Sequence, residues 1–247
     1  MIKLTRAASP IELTPQVVQQ LTADYLADKN ERVWNKKYIR DGLMAFSFSK
    51  CAFCETKVDE EAKYMEVDHF RCKRNYPTEV VLWGNLLPTC KRCNIEKGDH
   101  DVLVDGPILN PTLDDPAAHL FFYNYRLYGR DALGESTIET LYLNDTDRLV
   151  GVRYSIGEAI SSSLDELKIK LDACVVDPTP RKWRNISRGF LKLLREGMPP
   201  SEYSATAATS LVRHPYFLIL KDAIRAENLW AVEFDQVEAM ILQSALT

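Results

Sequence analysis

The chain has 247 residues, of which 46% are hydrophobic and 27% are charged. This composition is typical of a globular protein with a hydrophobic core, and it excludes an intrinsically disordered chain. The formal net charge at pH 7 is −4. The chain is therefore not a globally basic nucleic-acid-binding protein, and any contact with nucleic acid has to come from local basic patches.

Neither a targeting segment nor a membrane-spanning segment is predicted. The first ten residues include Lys3 and Arg6 but no apolar region behind them. No run reaches the roughly 18 consecutive apolar residues that cross a bilayer. We therefore expect a cytoplasmic protein without membrane contact, in a compartment where thiols stay reduced. Six cysteines in such a chain indicate metal binding before disulfide bonds.

Residues 1–48 are predicted to form an N-terminal helical segment. Thr14 and Pro15 are a helix start signal, with a capping side chain followed by proline at the first helical position. Apolar residues then recur near one face of this first helix. A second helix is predicted from about Arg32 to Phe46.

The helical periodicity fades after Lys50, where cysteines, short extended runs and turns take over. The pattern predicts a strand over 64–70 and a loop or short strand over 84–88. It then predicts a short helix over 91–97 that ends at Gly98. Strands and helices that occupy separate stretches of the chain indicate an α+β protein.

The remainder of the chain is predicted to be a loop-rich stretch followed by a helical C-terminal region over 131–247. Three prolines break up residues 99–134. A long helix is predicted from Asn144 or Asp145 to Cys174, and residues 175–180 are a predicted linker. Three further helices are predicted over 181–195 and 201–213 and in a last segment that ends near Leu242.

The helix predicted over 181–195 carries a basic face. Its cations follow i, i+3 and i+4 spacing along one side, at Arg181, Arg184, Arg188, Lys192 and Arg195. Its apolar residues fall on another side, at Trp183, Ile186, Phe190 and Leu194. One interpretation is the solvated side of an amphipathic helix. The alternatives are a handle for nucleic acid and a surface that docks an acidic partner protein.

Two C-x-x-C turns, Cys51–Cys54 and Cys90–Cys93, are separated by 35 residues. Each turn presents two thiolates to one ion, and two turns complete the tetrahedral shell of a structural zinc ion. A thioredoxin-like redox pair needs only one such turn. The pattern therefore predicts structural Zn²⁺ bound by Cys51, Cys54, Cys90 and Cys93. It leaves Cys72 and Cys174 as packing residues.

A second group of residues lies between and just after the cysteine turns. His69 is a candidate general base, because a neutral imidazole takes a proton from water near pH 7. Asp68 and Asn94 offer hard oxygen ligands, which suit a catalytic Mg²⁺ or Mn²⁺ ion. In regular strand geometry Asp68 and His69 point to opposite faces, so a local distortion has to bring them into one site. Basic residues nearby are candidates for binding phosphates, namely Arg71, Lys73 and Lys97.

The order C-x-x-C, Asp-His, Asn, C-x-x-C-Asn resembles the HNH, or His-Me finger, endonucleases. Asp68-His69 resembles the acidic-His pair of the first strand, and Asn85 resembles the middle asparagine. Asn94 stands where the last histidine often lies, which makes this an HNN variant. The resemblance implies a small ββα-metal core with a four-cysteine zinc knuckle within 49–130, flanked by helices. It also implies that Asn85 supports the loop and the orientation of His69.

Longer stretches resemble the HNH nucleases of Septu anti-phage systems, the PtuB family, relatives of which accompany some retrons. The stretches that carry this resemblance are 50–55, 68–71, 83–90, 109–119 and 136–149, and it covers about residues 30 to 155. Cys72 departs from the family, which often has proline there. The resemblance implies an antiviral nuclease that acts with a PtuA-like ATPase of the ABC or SMC type. Because the chain has no Walker A pattern, ATP binding falls to that second protein.

Three functional hypotheses are compatible with the sequence. The first is a metal-dependent endonuclease that hydrolyses phosphodiester bonds in DNA. The second keeps the chemistry but changes the substrate to RNA, for example a tRNA, because phosphate and metal chemistry serve both polymers. The third is a non-catalytic zinc module that binds nucleic acid or a partner protein, which does not need Asp68, His69 and Asn94 together.

Overall fold

The computed structural model describes residues 1–58 and 64–247. It divides into two compact units. Unit 1 comprises Met1–His119 and Gly129–Leu143, and unit 2 comprises Leu120–Tyr128 and Asn144–Thr247. The predicted N-terminal helical segment, residues 1–48, lies in unit 1 together with the cysteine-rich region.

Unit 1 begins with two helices. Helix α1 spans Pro15–Ala27, and the Thr14 hydroxyl accepts a hydrogen bond from the Val17 amide, which confirms the predicted start. Helix α2 spans Lys37–Ser47 and therefore begins five residues after the predicted start at Arg32. The segment that precedes α2 is not helical, and it buries Val33 fully.

The centre of unit 1 is a two-stranded antiparallel sheet followed directly by a helix. Strand β1 spans Met65–His69 and strand β2 spans Leu86–Cys90, with Val67 paired to Pro88 and His69 paired to Leu86. Helix α3 spans Lys91–Lys97 and packs against both strands. Gly98 ends this helix at a positive φ of 51°, so the predicted helix and its end are confirmed.

Two short 3₁₀ turns join the strands of this sheet. They span Pro77–Glu79 and Trp83–Asn85. The sequence predicts only a loop or short strand over 84–88. The structure instead has a turn that ends at Asn85 and a strand that begins at Leu86. Leu86 and Leu87 are fully buried, so β2 is fixed by packing as well as by its pairing with β1.

The stretch from Asp99 to Gly134 contains more regular structure than the loop-rich prediction. Helix α4 spans Pro116–His119, and strands β3 (Leu120–Tyr123) and β4 (Arg126–Gly129) form a second two-stranded sheet. Helix α5 spans Ala132–Thr140. A Cβ on Gly134 would collide with the His119 carbonyl oxygen, so only glycine permits this approach of α5 to the end of α4.

Unit 2 is mainly helical. A π-helical turn over Thr146–Val150, capped by the Asp145 carboxylate, leads into helix α6, which spans Gly151–Val176. The predicted long helix is confirmed, although it extends two residues beyond Cys174. Four further helices follow, α7 (Pro180–Arg195), α8 (Ser204–Arg213), α9 (Pro215–Ala226) and α10 (Val232–Ser244). Only three were predicted from the sequence.

The helices of unit 2 share one hydrophobic core. Helices α6, α7, α9 and α10 each contribute fully buried apolar side chains, among them Leu164, Phe190, Leu220 and Ile241. The described residues thus combine helices with two small antiparallel sheets, which confirms the predicted α+β class. Over the described part of the chain, none of the helices combines the length and apolar character that a bilayer crossing requires.

Candidate functional site

The four cysteines of the two C-x-x-C turns come together in unit 1. Cys51 and Cys54 lie in a turn whose Ala52 amide donates a 2.8 Å hydrogen bond to the Pro88 carbonyl of β2. Cys90 is the last residue of β2, and Cys93 lies in the first turn of α3. The four Sγ atoms all lie within 4.8 Å of one another.

This cluster fits a zinc ion. With zinc–sulfur bonds of about 2.3 Å, two sulfurs of a regular tetrahedron lie roughly 3.8 Å apart. The Cys54 and Cys90 Sγ atoms are 3.7 Å apart. None of the six cysteines forms a disulfide bond, so all four sulfurs of the cluster are available to an ion. Four cysteine sulfurs leave no open coordination position, and such an ion supports the fold.

The surroundings of the cluster favour a thiolate at Cys90, the residue that precedes α3. The Cys93 amide donates a 3.5 Å hydrogen bond to Cys90 Sγ, and the Arg92 guanidinium lies 3.7 Å from Cys93 Sγ. Hydrogen bonds from the neighbouring thiols lower the pKa of Cys90, with a further contribution from that amide. Hydrogen bonding to Cys51 and Cys90, together with burial, raises the pKa of Cys54. A cation bound at the centre of the cluster would stabilise all four sulfurs as thiolates.

The second group of predicted residues lines one cavity of about 520 Å³ in unit 1. Asp68 and His69 from β1 and Asn94 from α3 all contribute to its wall. His69 is the last residue of β1. Asp68 and His69 both line the cavity, although regular strand geometry would point their side chains to opposite faces of the sheet. The structure thus brings the predicted residues at the end of β1, Asp68 and His69, together with Asn94 in the first turn of α3.

Asp68 is buried and has one unsatisfied oxygen. Its Oδ1 accepts a 3.1 Å hydrogen bond from Lys97 Nζ, and its side chain is 3% exposed. Its Oδ2 has no hydrogen-bond partner among the described residues. Burial raises the pKa of Asp68, and the Lys97 ammonium opposes that shift. A buried carboxylate oxygen without a donor is a position that a bound cation satisfies.

The hydrogen bonding of His69 determines which ring nitrogen carries the proton. Its Nε2 lies 2.8 Å from the Val80 carbonyl oxygen. Because a carbonyl oxygen only accepts, Nε2 donates and Nδ1 keeps a free lone pair in the neutral ring. Burial lowers the pKa of His69 to about 3, so the ring is neutral near pH 7. The ring also packs edge-on against Trp34, with 4.8 Å between the ring centroids.

The lowered pKa of His69 predicts a pH dependence of folding. The imidazole binds a proton near pH 6.5 in the unfolded chain and near pH 3 in the folded protein. Between these values the unfolded chain binds more protons, so we expect the free energy of unfolding to fall as the pH is lowered, by up to about 1.4 kcal/mol per pH unit.

This pH dependence is measurable by urea unfolding from about pH 6.5 down to about pH 4.5. In this range the buried ring stays neutral in the folded protein, whereas the exposed ring binds a proton in the unfolded chain. The His69→Gln variant retains every other titrating group but lacks the imidazole. We therefore expect its unfolding free energy to depend less steeply on pH than that of the wild type. Equal slopes in the two proteins would contradict the assigned protonation behaviour.

Asn85 supports the segment that follows His69. Its Oδ1 accepts a 2.7 Å hydrogen bond from the Arg71 amide, and its Nδ2 donates to the Arg71 carbonyl at 3.0 Å and to the Glu79 carbonyl at 3.4 Å. Its own carbonyl accepts a 2.8 Å hydrogen bond from the Phe70 amide. Asn85 is buried and does not line the cavity, so it is placed to position the loop.

Glu66 is a candidate residue that was not singled out from the sequence. It lines the cavity and accepts a 2.6 Å hydrogen bond from Asn94 Nδ2. With Nδ2 turned toward Glu66, Oδ1 of Asn94 is the atom left for a cation. The signal in the sequence is the i, i+2 spacing of Glu66 and Asp68, which places both carboxylates on one face of β1.

The three basic residues predicted to bind nucleic acid occupy different environments. Lys73 lines the cavity, and its Nζ lies 5.4 Å from the centre of the Trp34 ring. The partly exposed Arg71 forms a 2.8 Å ion pair with Glu79. Lys97 differs from the expectation. Its side chain is fully buried, and its ammonium group donates to Asp68 and, at 2.7 Å, to the His69 carbonyl.

Comparison with known proteins identifies relatives of the chain. It is 41% identical to the Septu protein PtuB of Bacillus thuringiensis over 239 residues, which are 96% of this chain and 92% of that protein. It is 32% identical to the Septu protein PtuB of Bacillus mycoides over 102 residues, 30% of this chain and 34% of the relative. It is 35% identical to protein ea31 of Escherichia phage lambda over 95 residues, 36% of this chain and 31% of that protein. No protein-family model matches the chain.

Proposed function

The chain belongs to the PtuB family of Septu proteins, and from that premise we propose that it is the nuclease of a Septu anti-phage defence system. In this proposal it is an HNH-type, metal-dependent endonuclease that hydrolyses phosphodiester bonds in DNA. The PtuA-like ATPase implied by the family resemblance is its proposed partner. The antiparallel pair β1–β2 followed by α3 supports the assignment of the ββα-metal core.

The observation that carries the proposal is that the buried Asp68 carboxylate shares a cavity with His69 and has one oxygen without a partner among the described residues. A carboxylate oxygen without a partner among the described residues, a neutral imidazole and the Asn94 amide line the same cavity. Carboxylate and amide oxygens are the donors that Mg²⁺ and Mn²⁺ prefer. Asp68 and Asn94 would hold the ion, and Glu66 is placed to orient Asn94. When bound, such an ion stabilises the charge that develops on the phosphate and the departing oxygen.

His69 is the proposed general base. Its Nε2–H is held by the Val80 carbonyl, which leaves Nδ1 as the nitrogen that accepts a proton from the attacking water. Asn85 fixes the loop that carries this carbonyl, because its Nδ2 donates to the adjacent Glu79 carbonyl. Lys97 holds Oδ1 of Asp68, and Oδ2, which has no partner in the described part of the chain, is the proposed ligand atom.

A nicking assay tests the proposed activity. Supercoiled plasmid is incubated with the purified protein, alone and with its ATPase partner, in Mg²⁺ or Mn²⁺. We expect His69→Ala to lower the cleavage rate by about 10²–10⁴-fold, the usual contribution of a general base. His119→Ala is the matched control, since His119 is outside the cavity and pairs with Asp131.

Cleavage by His69→Ala at the wild-type rate, or cleavage by neither the wild-type protein nor its complex, would overturn the nuclease assignment and favour a non-catalytic zinc module. Matched DNA and RNA substrates in the same assay identify the polymer. Cleavage of RNA alone would retain the chemistry and replace the proposed substrate, because the phosphodiester is common to both polymers.

A further inference from the structure

We propose that helix α7 of unit 2 carries a second nucleic-acid contact surface, a row of cations that binds the phosphate backbone. The row consists of Arg181, Arg184, Arg188 and Lys192, whose side chains lie on the solvent side of the helix. At 100° per residue they fall within roughly 80° of the helix circumference, and they extend for about 16 Å along the axis. This surface, called the α7 row below, goes beyond the nuclease site of unit 1.

The opposite face of α7 fixes the orientation of the row. Ile186, Phe190 and Leu194 are buried in the core of unit 2. Since these residues lie on the far side of the helix, the cations cannot turn inward without breaking the core. The α7 row is therefore a fixed element of the surface.

Among the described residues, the cations of the α7 row have no carboxylate partner. No ion pair joins any of the four cations to an acidic residue in the described ranges, 1–58 and 64–247. The other two cations of the helix differ, because Lys182 pairs with Asp177 and Arg195 pairs with Glu233. The segment 181–195 contains no acidic residue. Four cations in a row without such partners are unexpected in a chain whose net charge is −4.

The chemistry of the row favours phosphates over an acidic protein. The centre of a protein–protein interface is usually formed by apolar or aromatic anchors with few charges. The large hydrophobic side chains of α7 are buried or half-buried, so the row has no such anchor. Duplex DNA carries one charge per about 1.7 Å of axis, and arginine side chains bind phosphates through two nitrogens. A linear polyanion therefore complements the α7 row.

The proposal is tested by measuring DNA binding. Every protein in this test carries His69→Ala, so that the result does not depend on cleavage. Fluorescence anisotropy with a DNA duplex is measured from low to moderate salt for the His69→Ala background protein and for its Arg184→Gln, Arg188→Gln, Lys192→Gln derivative. We expect the derivative to bind at least about tenfold more weakly. The slope of log affinity against log salt should decrease by about 0.9 for each lost phosphate contact.

A matched control removes three cations that already have carboxylate partners, in the Lys168→Gln, Lys170→Gln, Lys182→Gln derivative. These residues pair with Asp172, Glu166 and Asp177. We expect its affinity to stay within about twofold of the background protein, since its lost charges were already compensated. Thermal unfolding of both derivatives confirms that they are folded.

Three results would overturn the proposal. They are an unchanged affinity and salt slope in the α7 derivative, an equal loss in the control derivative, and no salt-dependent binding by the background protein. Loss of ATPase binding with intact DNA binding would identify the row as a protein interface instead. A duplex of permuted sequence should behave like the first, because phosphate contacts do not read bases. None of these results depends on whether unit 1 cleaves DNA.

Discussion

Replacing Asp68 with asparagine is expected to abolish cleavage and to destabilise the protein, and a second substitution at Lys97 is expected to restore only the stability. The Asp68–Lys97 pair is almost completely inaccessible to solvent. Removing one charge of such a pair leaves the other buried without compensation, which costs about 3–5 kcal/mol. Asparagine also removes the charged oxygen that the proposed ion requires, so we expect a loss in rate of about 10²-fold or more.

The double variant Asp68→Asn, Lys97→Met separates these two effects. Methionine has a volume similar to that of the lysine stem but no charge, so no unpaired ammonium remains and most of the unfolding free energy should return. Cleavage should stay absent, because the carboxylate is still missing. Urea unfolding and plasmid nicking of the wild type, both single variants and the double variant provide the complete cycle.

The exposed pair Lys37–Asp41 supplies the control for this cycle. Both side chains are largely in solvent, so Asp41→Asn should change the free energy of unfolding by no more than about 1 kcal/mol. Wild-type cleavage by Asp68→Asn would remove this carboxylate from the proposed mechanism. Additive stabilities in the double variant would show that Asp68 and Lys97 do not interact.

Local signals in the sequence predicted much of the fold. Thr14 and Pro15 identified the start of α1, and Gly98 identified the end of α3, because caps act over a few residues. The division between α9 and α10 was not predicted. Leu229 and Trp230, between these helices, are apolar and continue the hydrophobic pattern across the break. Their packing against the core of unit 2 is a tertiary contact that periodicity does not show.

The site residues also divide into those that a sequence motif predicts and those that depend on tertiary packing. The cysteine spacing predicted a four-sulfur cluster, and the cluster is present, because each C-x-x-C turn holds two sulfurs together locally and two such pairs complete the shell of one ion. The position of Lys97 depends instead on how α3 packs against β1, a contact between residues far apart in the chain. The sequence therefore predicted only that Lys97 lies near the site, whereas in the structure Lys97 forms an ion pair with the Asp68 carboxylate. The role of Glu66 depends on the same packing, through its hydrogen bond to Asn94.

Loss of zinc should unfold the centre of unit 1 and, with it, remove the proposed catalytic site. The cysteine cluster joins the turn at Cys51–Cys54 to the point where β2 ends and α3 begins. Helix α3 has only seven residues, which is too short to be stable by itself in water. Metal binding of this kind contributes directly to folding, by about 10–16 kcal/mol in isolated zinc-finger peptides.

Cys93→Ser tests this dependence against Cys174→Ser. Both cysteines are fully buried, but only Cys93 belongs to the cluster. We expect elemental analysis to find one zinc ion per chain in the wild type and in Cys174→Ser, and less in Cys93→Ser, together with a lower unfolding temperature and no cleavage. A zinc-free Cys93→Ser protein that unfolds and cleaves like the wild type would contradict the proposed role of the ion. The dependence follows from chain connectivity. Asn94 directly follows Cys93, and Lys97 lies one helical turn after Cys93. An ion that fixes the start of α3 through Cys93 therefore also fixes Asn94 and Lys97.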